Sequence, residues 1–190
     1  MDTKGNLFEQ LDQALAFVTR NTRQAIKITG KPQRERVPEY PDAAIREAIA
    51  NAICHRNYAE AGHVEIRIFH SSLEVWNPGT LPHDLSLEDL YQTHHSRPRN
   101  KLIANVFHRA GLIERWGTGT LRIVEACEER GMSRPEFLSE KGIFKVRFVS
   151  KGIEEIAPAL PLTLTERQRK TLEYVREHGA ITSAEFQLLS

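Results

Sequence analysis

The sequence predicts an α+β domain, and three observations lead there. Apolar residues recur at helical spacing over about 5–21 and again beyond Asp42. Two alternating runs, 63–69 and 73–76, meet across the polar turn His70-Ser71-Ser72. Alternation returns at Phe144, Val146 and Phe148 after two further helical stretches. Helices interleaved with hairpin-joined strands in 190 residues make one sizeable domain plus a small appendage.

In order along the chain, Leu7, Leu11, Ala14, Leu15 and Val18 define the first helix. Gln24–Thr29 and Arg34–Val37 read as short strands around the turn Gly30-Lys31-Pro32. Asp42 is expected to cap the next helix, where Ile45, Ala48, Ile49, Ala52 and Ile53 form an unbroken apolar stripe. At about 100° per residue, Glu47 and Asn51 point away from that stripe and stack one above the other. After the hairpin, 77–99 is a long polar connection with a weak helical patch near Leu85–Tyr91. Leu102, Ile103, Val106 and Phe107 mark a helix ending near Gly111, and a further helix runs from Gly119 to Gly131. Residues 1–150 form the main domain and 151–163, with Pro158 and Pro161, a linker. In 164–190, Thr165-Glu166-Arg167-Gln168 is a capping box and Gly179 a helix stop.

Composition narrows the function classes. The chain is 40% hydrophobic and 27% charged with net charge +1, so bulk charge gives no footprint for nucleic acid. No apolar run reaches the roughly 18 residues of a membrane span, and no signal peptide is visible, so a cytoplasmic protein with no membrane partner is expected. Cys54 and Cys127 both fall on helices, which does not suggest a disulfide framework. No Walker-type G-x-x-x-x-G-K-[ST] is present, so the chain holds no helicase motor of that kind.

Three constellations carry chemistry. Glu47 and Asn51, one helical turn apart, offer a carboxylate able to take a proton from water and an amide oxygen able to hold Mg²⁺. Asn77-Pro78-Gly79 ends a strand with an amide acceptor and a glycine that lets a ligand approach the backbone. Gly117-Thr118-Gly119-Thr120 opens a helix with free N–H groups and the positive end of its dipole. His55-Arg56, just past Asn51, could add positive charge towards phosphates. His94-His95 with His83 and Asp84 lacks the spacing of a structural zinc site.

In combination these residues resemble the GHKL ATPase superfamily. The closer resemblance is to the divergent GHKL-like domain of proteins labelled RecG-related ATP-dependent DNA helicase or transcriptional regulator. It is carried by Glu47–Tyr58, Asn77–Pro82, Arg99-Asn100 with Leu102-Ile103-Ala104, Gly111–Ile123, Pro135, Phe137 and Gly142–Phe148. The resemblance implies a two-layer sandwich with helices on one face of a mixed sheet and ATP between them. It places Glu47 as general base, Asn51 as magnesium ligand, Gly79 at the first glycine turn and Gly117 and Gly119 at the second. Residues 80–116 would be the lid. The superfamily reads adenine with an aspartate where this chain has Asn77.

The expected function is thus an ATP·Mg-binding domain of a DNA-associated regulator with slow hydrolysis. The alternative is a nucleotide-free scaffold or homodimerisation domain of a transcriptional regulator. Family members carry a winged helix downstream, and 164–190 resembles its beginning. Arg167, Arg169, Lys170 and Arg176 there balance Glu166, Glu173, Glu177 and Glu185. DNA contact is therefore expected of a longer parent protein rather than of this fragment.

Overall fold

A computed structural model of the chain describes residues 2–27, 35–95, 97–113 and 117–152, with 170, 171, 173–175, 179, 182 and 186. The chain divides into two compact units, 1–157 and 158–190.

The first unit opens with α1 (Leu7–Asn21), started by a complete capping box. Asn6 Oδ1 accepts from the N–H groups of Phe8 and Glu9, and Glu9 Oε2 accepts from the N–H of Asn6, each at 3.0 Å. Next come β1 (Gln24–Lys27) and β2 (Glu35–Pro38), an antiparallel pair whose expected turn at 30–32 lies outside the described residues. α2 (Asp42–His55) follows, then β3 (Glu65–Ile68) and β4 (Ser72–Pro78). The connection to α3 (Lys101–Arg109) contains one 3₁₀ turn, Glu88–Tyr91. After α3 come α4 (Gly119–Glu129), β5 (Glu136–Glu140) and β6 (Ile143–Val149).

The main sheet has the order β3-β4-β6-β5 and every pairing in it is antiparallel, which corrects the expectation of a mixed sheet. Its two faces differ as period-two alternation requires. Leu73, Val75, Val146 and Phe148 point inward and are buried with Phe137. On the outer face the Trp76 ring lies under the Arg67 guanidinium at 3.8 Å and near Lys145 Nζ at 4.9 Å, and its Nε1 donates to Glu74 at 2.7 Å. Such a face can stand in water, so the helices need cover only the other one.

α2 is the centre of that helical layer. Ala44, Ala48, Ala50 and Ala52 let neighbours come close, and it packs on α1, α3, α4 and β4. Burial therefore reaches beyond the Ile45–Ile53 stripe, and Glu47 itself is only 6% exposed. Pro41, not Asp42, holds the N-cap position, and it makes no side-chain cap; Asp42 is the first helical residue, where its charge suits the dipole.

The β1–β2 pair is tied down by Glu39, a buried carboxylate. It accepts from the Arg23 N–H and from the hydroxyl of Ser150, just past β6. The Arg23 guanidinium in turn donates to the carbonyl of His70 in the β3–β4 turn at 3.1 Å.

In the second unit residues 170, 171 and 173–175 are helical. The Gly179 N–H donates to the Val175 carbonyl at 2.8 Å with φ +79°, the geometry of a helix stop. The capping box at 165–168 and most of the linker lie outside the described residues.

Candidate functional site

Helical geometry places Glu47 and Asn51 on one ridge of α2, and Asn51 Nδ2 donates to Glu47 Oε1 at 3.0 Å. That bond uses the donor end of the amide and leaves its carbonyl oxygen as an acceptor. The N-terminus of α4 comes directly onto this pair. A Cβ built on Gly119 would collide with Glu47 Oε1 and stand 3.2 Å from Asn51 Nδ2. Glycine is what allows the approach. Thr118 occupies the N-cap position of α4 without a side-chain capping bond, so the first-turn N–H groups keep their capacity for an anion.

Around this contact lies a pocket of about 360 Å³, within the usual range for small-molecule sites. Glu47, Asn51, His55, Asn77, Gly79, Gly117, Gly119 and Thr120 all line it. Two polar atoms in its wall are enclosed and lack a hydrogen-bond partner: Asn77 Oδ1 and Thr120 Oγ1. Leaving such a group unpaired costs about 1–3 kcal/mol, so a pair of them in one cavity is suited to a polar ligand.

Asn77 reaches the pocket because it shares the inward face of β4 with Leu73 and Val75. Two residues on, Gly79 turns the chain at φ +133°, a conformation L residues rarely adopt, and its N–H donates to Gly142 at 2.8 Å. Arg99 braces this turn by donating to the Thr80 carbonyl at 3.0 Å. Asn100 Nδ2 ties the start of α3 to the end of α2, donating to the carbonyls of Cys54 at 2.9 Å and Arg56 at 2.8 Å.

Not every candidate converges. Arg56 is absent from the pocket wall; its guanidinium stacks over Tyr58 at 4.7 Å and donates to Gly62. Thr118 lies beside the pocket as the α4 cap rather than in its wall. His55 is in the wall, but burial, reinforced by the charges of Arg99 and His94, lowers it from 6.5 to about 4. At neutral pH it offers hydrogen bonds and not charge. Cys54 is pushed up to about 12 by burial and then by the charge of Glu47, so it stays a thiol.

The basic wall residues that escaped the sequence reading of the site are Arg97, Lys101 and His108, and His94 except as a discarded metal ligand. Arg97 and Lys101 bring cationic side chains, and the two histidines imidazole rings, to a cavity that also holds Glu47. Arg97 pairs with Asp84 at 2.8 Å on the exposed side. His83 and His95 are not in the wall, and among the described residues no three His, Cys, Asp or Glu side chains gather as a metal cluster.

Residues 61–148 match the model of an HATPase-class family described as “Putative ATP-dependent DNA helicase recG C-terminal”. Over this segment, just under half of the chain, the sequence is similar to that family. The matched segment of this RecG C-terminal family runs from just before β3 into β6, and so includes Asn77, Gly79 and 117–120; α2 lies upstream of it. The fold is also similar to the crystal structure of the DIP2311 protein from Corynebacterium diphtheriae, a structural-genomics target. The TM-score is 0.69 at 24% identity, over 79% of this chain and 30% of that one. The chain thus spans under a third of that protein, and the likeness is one of fold. No curated protein matches the sequence.

Two predictions follow from this geometry. Helix propensity alone would favour Gly119→Ala by up to about 1 kcal/mol. The clash with Glu47 reverses that, so G119A should lower Tm in the native background and raise it, or leave it unchanged, when combined with Glu47→Ala. Equal effects in both backgrounds would contradict the contact. For His55, the unfolded chain takes up its proton near 6.5 and the folded chain only near 4. Unfolding free energy should therefore fall as pH drops from 6.5 to 4, and His55→Gln should flatten that slope. Parallel slopes would show that the ring is not held neutral.

Proposed function

We propose that the pocket between α2, α4 and the inner face of the sheet binds ATP with Mg²⁺, as the GHKL-type ATPase domain of a DNA-associated regulator. The observation that carries this reading is the seating of Gly119 on the Glu47–Asn51 pair. It brings a carboxylate, an amide and an uncapped helix N-terminus into one cavity. The similarity of 61–148 to an HATPase-class family supports it.

The residues divide the ligand among them. Asn77 and Gly79 form the base end. Gly117, Gly119 and Thr120 form the phosphate end, with Thr118 behind them as the α4 cap, and there α4 N–H groups and the Thr120 hydroxyl meet the anion. Lys101 and Arg97 add the positive charge that the sequence reading had sought in His55-Arg56. Glu47 orients a water and takes its proton. Asn51 supplies an oxygen for Mg²⁺, which when bound would offset phosphate charge. The donor set fits that ion, because Mg²⁺ prefers oxygen and needs only one or two protein ligands beside phosphate and water. A cytoplasmic setting and DNA contact through a longer parent protein belong to the same reading.

The nucleotide-free scaffold, a homodimer in its simplest form, has one feature in its favour. Leu102 is 77% exposed and Val106 is exposed one turn on, so α3 presents an apolar edge. The unpartnered Asn77 and Thr120 atoms weigh towards a ligand instead.

Thermal unfolding with ATP·Mg²⁺ separates the two. Nucleotide at 100 times its Kd adds about 2.7 kcal/mol, or about 5–10 °C in Tm for a chain of this size. Glu47→Ala should keep most of that shift and reduce slow ATP turnover by about 100-fold or more. No shift at millimolar nucleotide would remove the ATP reading, and unchanged turnover in E47A would remove Glu47 as base.

A further inference from the structure

We propose that Asn77 makes this a pocket for purine nucleotides of both the 6-amino and the 6-oxo class, rather than for adenine nucleotides alone. The inference rests on the nucleotide reading above and concerns what the base end recognises. Asn77 is 3% exposed, its Oδ1 is enclosed without a partner, and no hydrogen bond fixes its Nδ2 among the described residues. It stands opposite Phe144 in the β4–β6 register, and both residues line the cavity.

A carboxylate at this position could only accept. A carboxamide accepts at one end and donates at the other. A 6-aminopurine presents a donor at position 6 beside an acceptor at N1. A 6-oxopurine presents the reverse, an acceptor at position 6 and a donor at N1–H. Turning the amide over about its last torsion, a soft and nearly two-fold rotation, exchanges its ends and matches either edge. With no neighbour among the described residues holding the amide one way round, Asn77 is not a fixed donor with which to reject the other class. Strong discrimination arises where a fixed polar group would be left unpaired by the wrong ligand, and that condition is not met at Asn77.

Inosine triphosphate is the direct probe, since it reverses the 6-position and N1 of ATP without adding the 2-amino group of guanine. Titration of the whole chain with Mg²⁺ and ATP or ITP, followed by calorimetry, should give affinities within about 3-fold of each other. Asn77→Asp should keep ATP and weaken ITP by about 10-fold, because two acceptors then face each other. If N77D does not fold, Asn77→Leu should weaken ATP and ITP alike. Native preference for ATP over ITP above about 10-fold overturns the proposal. So does an ATP to ITP ratio unmoved in N77D, or unchanged binding in N77L. Failure of both triphosphates to bind overturns the nucleotide reading itself, an outcome distinct from a strong preference for ATP.

Discussion

The contact between Gly119 and the Glu47–Asn51 pair is the constraint on which the rest of the site depends. Two helices can meet this closely only where one has no side chain. Once they do, a carboxylate that is nearly buried lies against the positive end of another helix, at the edge of a cavity. The hydrogen bond from Asn51 fixes the carboxylate from its own helix, and the dipole of α4 faces it from the other. Hydrophobic packing positions these groups: Ile123, Val124 and Cys127 anchor α4, and Ile45, Ile49 and Ile53 anchor α2.

The sheet supplies the opposite wall. Its inner face is apolar where it meets α2 and turns polar at Asn77, near the end of β4, so a single strand covers the core and then opens into the pocket. The turn that follows is held from two sides, by Gly142 at the β5–β6 turn and by Arg99 before α3. Asn100 then locks α3 onto the end of α2. The polar segment 80–100 is thus tied to the frame at its two ends, and Tyr91 attaches its middle through a bond to Pro135.

Much of this was legible in the sequence, for reasons that differ by element. The stripe at Ile45, Ala48, Ile49, Ala52 and Ile53 identified α2 because a three-point-six-residue period survives even when the helix is buried on several sides. The Glu47–Asn51 stacking and the hairpin of β3 and β4 follow from equally local rules. What escaped was non-local. Strand direction depends on how β6 returns to β4, which no alternation pattern records, hence the antiparallel sheet where a mixed one was expected. β5 (Glu-Phe-Leu-Ser-Glu) is a short edge strand with one deeply buried side chain and shows no clear alternation. Arg97, Lys101 and His108 enter the pocket because the chain folds back after a long connection, whereas Arg56, adjacent in sequence to the site, is drawn off to Tyr58 and Gly62.

The most direct measurement is a crystal structure of the chain with a non-hydrolysable ATP analogue and Mg²⁺. The account requires the triphosphate at residues 117–120 with the ion beside Asn51, and the base edge at Asn77. A nucleotide found elsewhere on the protein, or one lying in the cavity with its phosphates turned away from the α4 N-terminus, would contradict it.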